Sequence, residues 1–122
     1  MGSIADNLQA VRGRISSAAR AAAREPGPVR LLAVSKTHPP ALIREAYAAG
    51  QRAFGENYVQ EAEEKMTQLA DLPLEWHLVG PLQSNKTRVV AERFHWVHTV
   101  DREKVARRLS EQRPPGLAPL EV

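Results

Sequence analysis

The hydrophobic positions of this chain follow two spacings, and the change from one to the other predicts the order of its elements. In residues 3–25, apolar residues recur every three or four positions, which is typical of an amphipathic helix. Ser3 with Asp6 forms a capping-box-like start, and Pro26-Gly27-Pro28 ends the helix. From residue 29 onward, short apolar runs alternate with segments of helical spacing.

This alternation predicts strands and helices in strict succession. The predicted strands are 29–35, 52–54, 75–79 and 95–100, with the start of a fifth at 120–122. The predicted helices between and after them are 41–49, 58–70, 84–93 and 101–112. A strand-helix rhythm of this kind builds a parallel sheet with right-handed crossovers, so the chain is expected to be an α/β protein.

Two parallel architectures fit the rhythm, and the turn after the first strand separates them. A doubly wound sheet usually has a glycine-rich phosphate turn there, whereas this chain has Ser35-Lys36-Thr37-His38. A complete (β/α)8 barrel needs eight units and roughly 250 residues. We therefore interpret the chain as the first half of a TIM-like (β/α)8 barrel with an extra N-terminal helix. Residues 1–122 are then a single partial domain, truncated in the fifth strand.

Composition and charge exclude several classes of function. The chain has no cysteine, which excludes disulfide scaffolds, thiolate zinc sites and cysteine nucleophiles. It has no signal peptide and no apolar stretch near the roughly 18 residues of a membrane span, so we expect a cytoplasmic protein that does not enter a membrane. The net charge is +3, but the arginines of the first helix are spread around it without interleaved aromatics, which argues against nucleic acid.

Lys36 is the first candidate functional residue, because it ends an apolar run and Pro39-Pro40 follows closely. A lysine whose stem is buried there favours the neutral amine, which can attack a carbonyl and form a Schiff base. The alternative is a lysine that simply keeps its charge in water at the end of a strand. Lys36 by itself leaves both interpretations open.

The ends of the other predicted strands are also polar. In strand-helix barrels, catalytic and binding groups gather at the carboxyl ends of the strands, so these segments predict a site on one rim. Loops are polar in most proteins, which weakens the argument. The segments are Ser35-Lys36-Thr37, Gly55-Glu56-Asn57, Gly80 to Lys86, and Thr99 to Arg102.

Several polar residues near these strand ends have a structural alternative to a functional role. Glu56 and Glu61 could act as a carboxylate pair, but helix capping and solvent exposure explain them equally well. Ser84 or Asn85 is predicted to cap one helix and Asp101 the next.

The histidines give no metal site by their spacing. His95 and His98 are three residues apart on a predicted strand and face opposite ways, so they cannot chelate one ion. No other metal-ligand spacing occurs in the chain, and we therefore expect no metal.

Taken together, four segments resemble one known family, the pyridoxal phosphate homeostasis proteins, which are single-domain relatives of the alanine racemase N-terminal barrel. The resemblance covers nearly the whole chain but only the first half of a family member. One departure is Leu78, where the family usually has phenylalanine. The segments, in order, are Ala33 to Thr37, Phe54 to Glu61, Trp76 to Lys86, and His98 to Arg102.

The resemblance implies a fold type III protein that binds pyridoxal 5'-phosphate. Lys36 matches the lysine that holds the cofactor as an internal aldimine, and Asn57 matches an asparagine of the cofactor pocket. His77 points away from its neighbour Trp76, so it either lines the cofactor floor or is a satisfied core histidine. The phosphate ligands, and the arginine beside the pyridine nitrogen, belong to the second half of family members.

The resemblance also implies a role in cofactor homeostasis without catalytic turnover. The protein would limit free reactive aldehyde or pass the cofactor to apoenzymes, and the full-length form is expected to be a monomer. The alternatives are an amino-acid racemase or decarboxylase of the same fold type, or an inert fragment. Racemisation needs a second base, which in the racemases is a tyrosine from an additional β domain, whereas Tyr47 and Tyr58 are predicted to lie in helices.

Overall fold

The computed structural model describes residues 3–122, in which strands and helices alternate after a long first helix. The helices are α1 (Ile4–Ala21), α2 (Pro40–Ala48), α3 (Val59–Gln68), α4 (Thr87–Arg93) and α5 (Glu103–Gln112). The strands are β1 (Ala33–Val34), β2 (Ala53–Glu56), β3 (Glu75–Leu78) and β4 (Trp96–Val97). None of the helices in this range is long and apolar enough to cross a membrane.

The strands form one parallel sheet in the order of the chain. The sheet has four strands in the order β1-β2-β3-β4, and each neighbouring pair is parallel. A helix lies in every crossover, which confirms the predicted α/β class and the half-barrel arrangement. Glu121 makes a parallel bridge to Trp96, so the segment predicted to begin a fifth strand lies beside β4.

The hydrophobic core lies between one face of the sheet and the helices. Phe54 and Trp76 contribute tilted rings with centroids 6.3 Å apart, and both side chains are buried. Because consecutive strand residues point to opposite faces, this leaves the other face of the sheet to Val34, Gly55 and His77. The fully buried members of the core include Ala62, Leu78, Val90, Ala91 and Val97.

The N-terminal helix forms as its capping residues predict. The Ser3 hydroxyl accepts a hydrogen bond from the Asp6 backbone, and the Asp6 side chain accepts one from the Ser3 backbone, which completes the capping box. The helix ends at Ala21 rather than near 25. Arg12 docks it by donating to the Ala49 carbonyl at 3.0 Å and to Gln51 at 2.9 Å.

The first predicted strand is much shorter than expected. The prediction of a buried strand over residues 29–35 is wrong. Only Ala33 and Val34 pair with β2, and Val34 is 49% exposed. Val34 is exposed because β1 lies at the edge of the sheet, where β2 is its one neighbour in residues 3–122. The other strands differ by one to four residues at their ends, as in β2, which extends to Glu56.

Several helices also begin at residues other than those predicted. The segment 84–93 is divided into a 3₁₀ turn at Ser84–Lys86 and α4. Ser84 does not cap it with its side chain; its carbonyl instead accepts from the Thr87 hydroxyl and from Arg108. Asp101 is likewise not the cap of α5, which begins after Arg102 without a side-chain cap. Tyr58 precedes α3 instead of lying in it.

Candidate functional site

The register of the sheet brings the predicted site residues toward one face. Val34, Gly55, His77 and Trp96 are successive Cα partners across the four strands, and we call this row the open face. Lys36 and Asn57 follow Val34 and Gly55 by two residues and lie just beyond the carboxyl ends of β1 and β2, where the chain turns.

Lys36 lies in a tight turn and its side chain is exposed. The expectation of a lysine stem buried among apolar neighbours is therefore wrong for residues 3–122, because β1 is an edge strand and Val34 below it is half exposed. The His38 amide donates to the Ser35 carbonyl at 3.1 Å and closes the turn. The accessible amine is the chemically relevant feature, since a carbonyl compound can reach it from solvent.

A buried ionic cluster lies beneath this turn, and we call Ser35, Glu56, Glu61 and Lys65 the Lys65 cluster. The Lys65 ammonium donates to the Ser35 carbonyl at 2.7 Å, and it lies 3.0 Å from a Glu56 carboxylate oxygen and 3.2 Å from Glu61. The Ser35 hydroxyl donates to the Glu56 carboxylate. The Glu56 side chain is fully buried and that of Lys65 is 6% exposed.

The Lys65 cluster changes the interpretation of the two glutamates. The prediction that Glu56 is exposed to solvent is wrong. Both carboxylates bind the Lys65 ammonium group: Glu56 lies at the end of β2, and Glu61 lies in the first turn of α3. Lys65 itself was missed by sequence reasoning. Its signal is the spacing of four residues from Glu61 on a helix face that otherwise carries Ala62 and Met66.

Asn57 is half-buried where the chain leaves β2. A Cβ atom at Gly80 would lie 2.6 Å from the Asn57 carbonyl oxygen, so only glycine permits this approach of the two loops. Asn57 also lines a surface cavity of about 500 Å³ together with Gln83 and Lys86. The loops after β2 and β3 thus meet at the same rim as Lys36.

His77 lies on the open face, and its ring stacks on Trp96 with centroids 5.4 Å apart and planes 6° apart. Its Nε2 atom is 2.7 Å from Glu75 Oε1 and its Nδ1 atom is 2.9 Å from His98 Nε2. Since a carboxylate only accepts, Nε2 of His77 donates to Glu75 and Nδ1 of a neutral His77 accepts from His98. His77 therefore faces the predicted side of the sheet with both ring nitrogens paired.

Electrostatics around His77 favour this neutral form. Burial lowers the pKa of His77, and the hydrogen bond to Glu75, which raises it, only partly offsets that effect. For Glu75, burial raises the pKa, but hydrogen bonds from His77 and Arg30 outweigh it, so the net pKa is below its ordinary value. The pair is thus an ionised carboxylate that orients a neutral imidazole.

His95 and His98 behave as their spacing predicts. His95 lies on the core side, where its Nδ1 atom accepts a hydrogen bond from the Trp76 amide at 2.9 Å, whereas His98 contacts His77 on the open face. The two face opposite sides of the sheet. Over residues 3–122, no three acidic or histidine side chains are grouped so that they could hold a metal ion.

Comparisons with known proteins place the chain in one family. The family model described as "Alanine racemase, N-terminal domain" matches residues 6–122. A pyridoxal phosphate homeostasis protein of Pseudomonas aeruginosa is 64% identical over 122 residues, covering 100% of this chain and 53% of the relative. The protein of that name from Escherichia coli is 55% identical over 125 residues, with coverage of 100% and 53%.

Solved structures show the same relation. PipY of Synechococcus elongatus, solved with PLP bound, is 55% identical, with a TM-score of 0.70 over 80% of this chain and 47% of PipY. A protein from Bifidobacterium adolescentis described as unknown is 35% identical, with a TM-score of 0.78 over 90% of this chain and 49% of that one. The chain spans about half the length of the curated relatives it matches.

Proposed function

Because the chain belongs to the alanine racemase N-terminal domain family, we propose that it binds pyridoxal 5'-phosphate through Lys36 and serves intracellular homeostasis of that cofactor. The observation that carries the proposal is the accessible Lys36 amine just beyond the carboxyl end of β1, the strand that begins the row containing His77 and Trp96. Relatives named for pyridoxal phosphate homeostasis and a PLP-bound relative support it.

The proposed attachment is a simple condensation at the Lys36 amine. The amine nitrogen adds to the aldehyde carbon of the cofactor, a C=N bond replaces the C=O bond, and the oxygen leaves as water. Nothing is oxidised or reduced. The reaction needs an accessible neutral amine and a place for a flat aromatic ring.

The described residues fit the ring end of such a cofactor. Gly55 adds no side chain to the open face, and the Leu32 and Val79 side chains already lie 3.3–3.5 Å from where its Cβ atom would be. The stacked His77 and Trp96 rings lie on the open face, and the Asn57 amide is a donor for an oxygen on the ring. The resemblance assigns the phosphate partners to the half that this chain does not span, so we expect weak, reversible binding by residues 1–122 alone.

A homeostasis role without turnover is favoured over a racemase or decarboxylase. Tyr47 lies in α2 with the Arg52 guanidinium 5.8 Å from its ring centroid, and Tyr58 is 58% exposed at the start of α3. The role without turnover is supported by relatives that are named for homeostasis of the cofactor. We accordingly propose a cytoplasmic protein that is a monomer at full length and delivers the cofactor to apoenzymes.

Titration with pyridoxal phosphate tests the proposal directly. The visible absorbance of the Schiff base is followed in the unmodified chain, in Lys36→Ala and in Lys104→Ala, which removes another exposed lysine. We expect saturable absorbance that Lys36→Ala abolishes and Lys104→Ala retains. Equal absorbance in all three proteins would refute attachment at Lys36.

A further inference from the structure

The turn that carries Lys36 is held on both sides by the Lys65 cluster. On one side, the Ser35 carbonyl accepts from Lys65 and its hydroxyl donates to Glu56. On the other side, the Thr37 amide donates to Glu61 at 2.6 Å. The residues before and after Lys36 are therefore fixed, while the Lys36 side chain itself is left exposed.

The backbone of this turn is strained at Thr37. Its φ angle of 65° lies in the left-handed region, which is rare for a β-branched residue. Such conformations persist only where surrounding contacts over-determine them, and they concentrate at functional sites. Here the contact that holds the strained residue is the Glu61 carboxylate, which Lys65 in turn holds from 3.2 Å.

Stability alone does not account for a buried ion pair at this place. Taking both charges of Lys65 and Glu56 out of water costs free energy that their attraction often fails to recover, and well-packed apolar residues would serve the core as well. The acceptors around Lys65 also engage its ammonium protons, since Ser35, Glu56 and Glu61 surround it. Lys65 is thereby kept out of the amine chemistry that is open to Lys36.

We propose that the Lys65 cluster is a positioning device for Lys36: it fixes the strained turn so that the amine projects over the open face. This inference rests on the proposed function, because it explains selective attachment at Lys36. Glu56, Glu61 and Lys65 act through the backbone of Ser35 and Thr37 and do not touch the cofactor.

Glu61 gives the sharpest test, because its side chain is 26% exposed and its removal leaves the Lys65–Glu56 pair intact. Glu61→Ala removes the acceptor for the Thr37 amide, whereas Glu61→Gln keeps an acceptor oxygen and loses only the charge. Glu64→Ala is the matched control, since it removes an exposed carboxylate from the same helix.

The assay is borohydride trapping with pyridoxal phosphate, followed by digestion and mass mapping. The measured quantity is the ratio of label on Lys36 to label on Lys104 in the same molecules, with each variant first shown by urea unfolding to be folded. We expect Glu61→Ala to lower this ratio about five-fold, while Glu61→Gln and Glu64→Ala stay within about two-fold of the unmodified chain.

Each outcome separates the two proposals. An unchanged ratio in Glu61→Ala, with preferential label on Lys36, overturns the positioning role and leaves the proposed function standing. Equal label on Lys36 and Lys104 in the unmodified chain overturns the proposed function and the positioning role with it. If Glu64→Ala lowers the ratio of Lys36 label to Lys104 label as much as Glu61→Ala does, the positioning role is also overturned.

Discussion

Replacing Lys65 by methionine should destabilise the chain strongly, because it removes the cation from a fully buried Glu56 carboxylate. The two charged atoms are 3.0 Å apart, the Glu56 side chain is 0% exposed and that of Lys65 is 6% exposed. Solvent therefore cannot replace the lost partner, and the Ser35 hydroxyl is the donor that remains. Breaking a buried pair on one side typically costs about 3–5 kcal/mol.

The double variant Lys65→Met with Glu56→Leu isolates the charge effect. Removing both charges leaves no unpaired carboxylate, so most of the lost free energy of unfolding should return, with a remainder of about 1–2 kcal/mol from imperfect packing. Urea unfolding followed by tryptophan fluorescence measures all three proteins. A cost below about 1 kcal/mol for Lys65→Met, or a double variant as unstable as the single one, would refute the buried pair.

Three further predictions follow from single contacts. Gly80→Ala should cost about 1–3 kcal/mol of unfolding free energy, because its Cβ atom would meet the Asn57 carbonyl at 2.6 Å, while Gly27→Ala, with open space around it, should cost far less. The free energy of unfolding should fall as the pH drops below about 6.5, because burial holds the pKa values of folded His77 and His95 below their unfolded values. The unfolded chain then binds the extra protons, and His77→Gln should reduce this slope, with His95 supplying the remainder, in urea titrations at several pH values. Lys36→Ala should leave the urea midpoint within about 0.5 kcal/mol of the unmodified chain, since the side chain is exposed; a larger change would assign it a structural role.

The order of elements could be predicted from local pattern, because each strand-helix unit encodes its own spacing and stop signals. Ser3 with Asp6 gave a complete capping box, and Gly50 ends the second predicted helix with a φ of 96°. The opposite orientation of Trp76 and His77 also followed from strand alternation alone. Local rules suffice where the neighbours along the chain decide the conformation.

The predictions that failed concern what lies across the sheet. The run 29–35 is apolar at five of its seven positions, yet only Ala33 and Val34 pair with β2, at the edge of the sheet. Lys36 shares that edge and is exposed for the same reason. Lys65 and Glu56 meet only when α3 packs beneath the end of β1, so neither residue alone signals a buried pair.

Mapping the lysines that react with pyridoxal phosphate tests the central claim most directly. The chain has four lysines, of which Lys36, Lys86 and Lys104 are exposed and Lys65 is buried. Borohydride reduction after incubation with the cofactor, followed by peptide mass mapping, gives the label on each. The account predicts a clear excess on Lys36 over Lys86 and Lys104, with none on Lys65. Equal label on the three exposed lysines would contradict it.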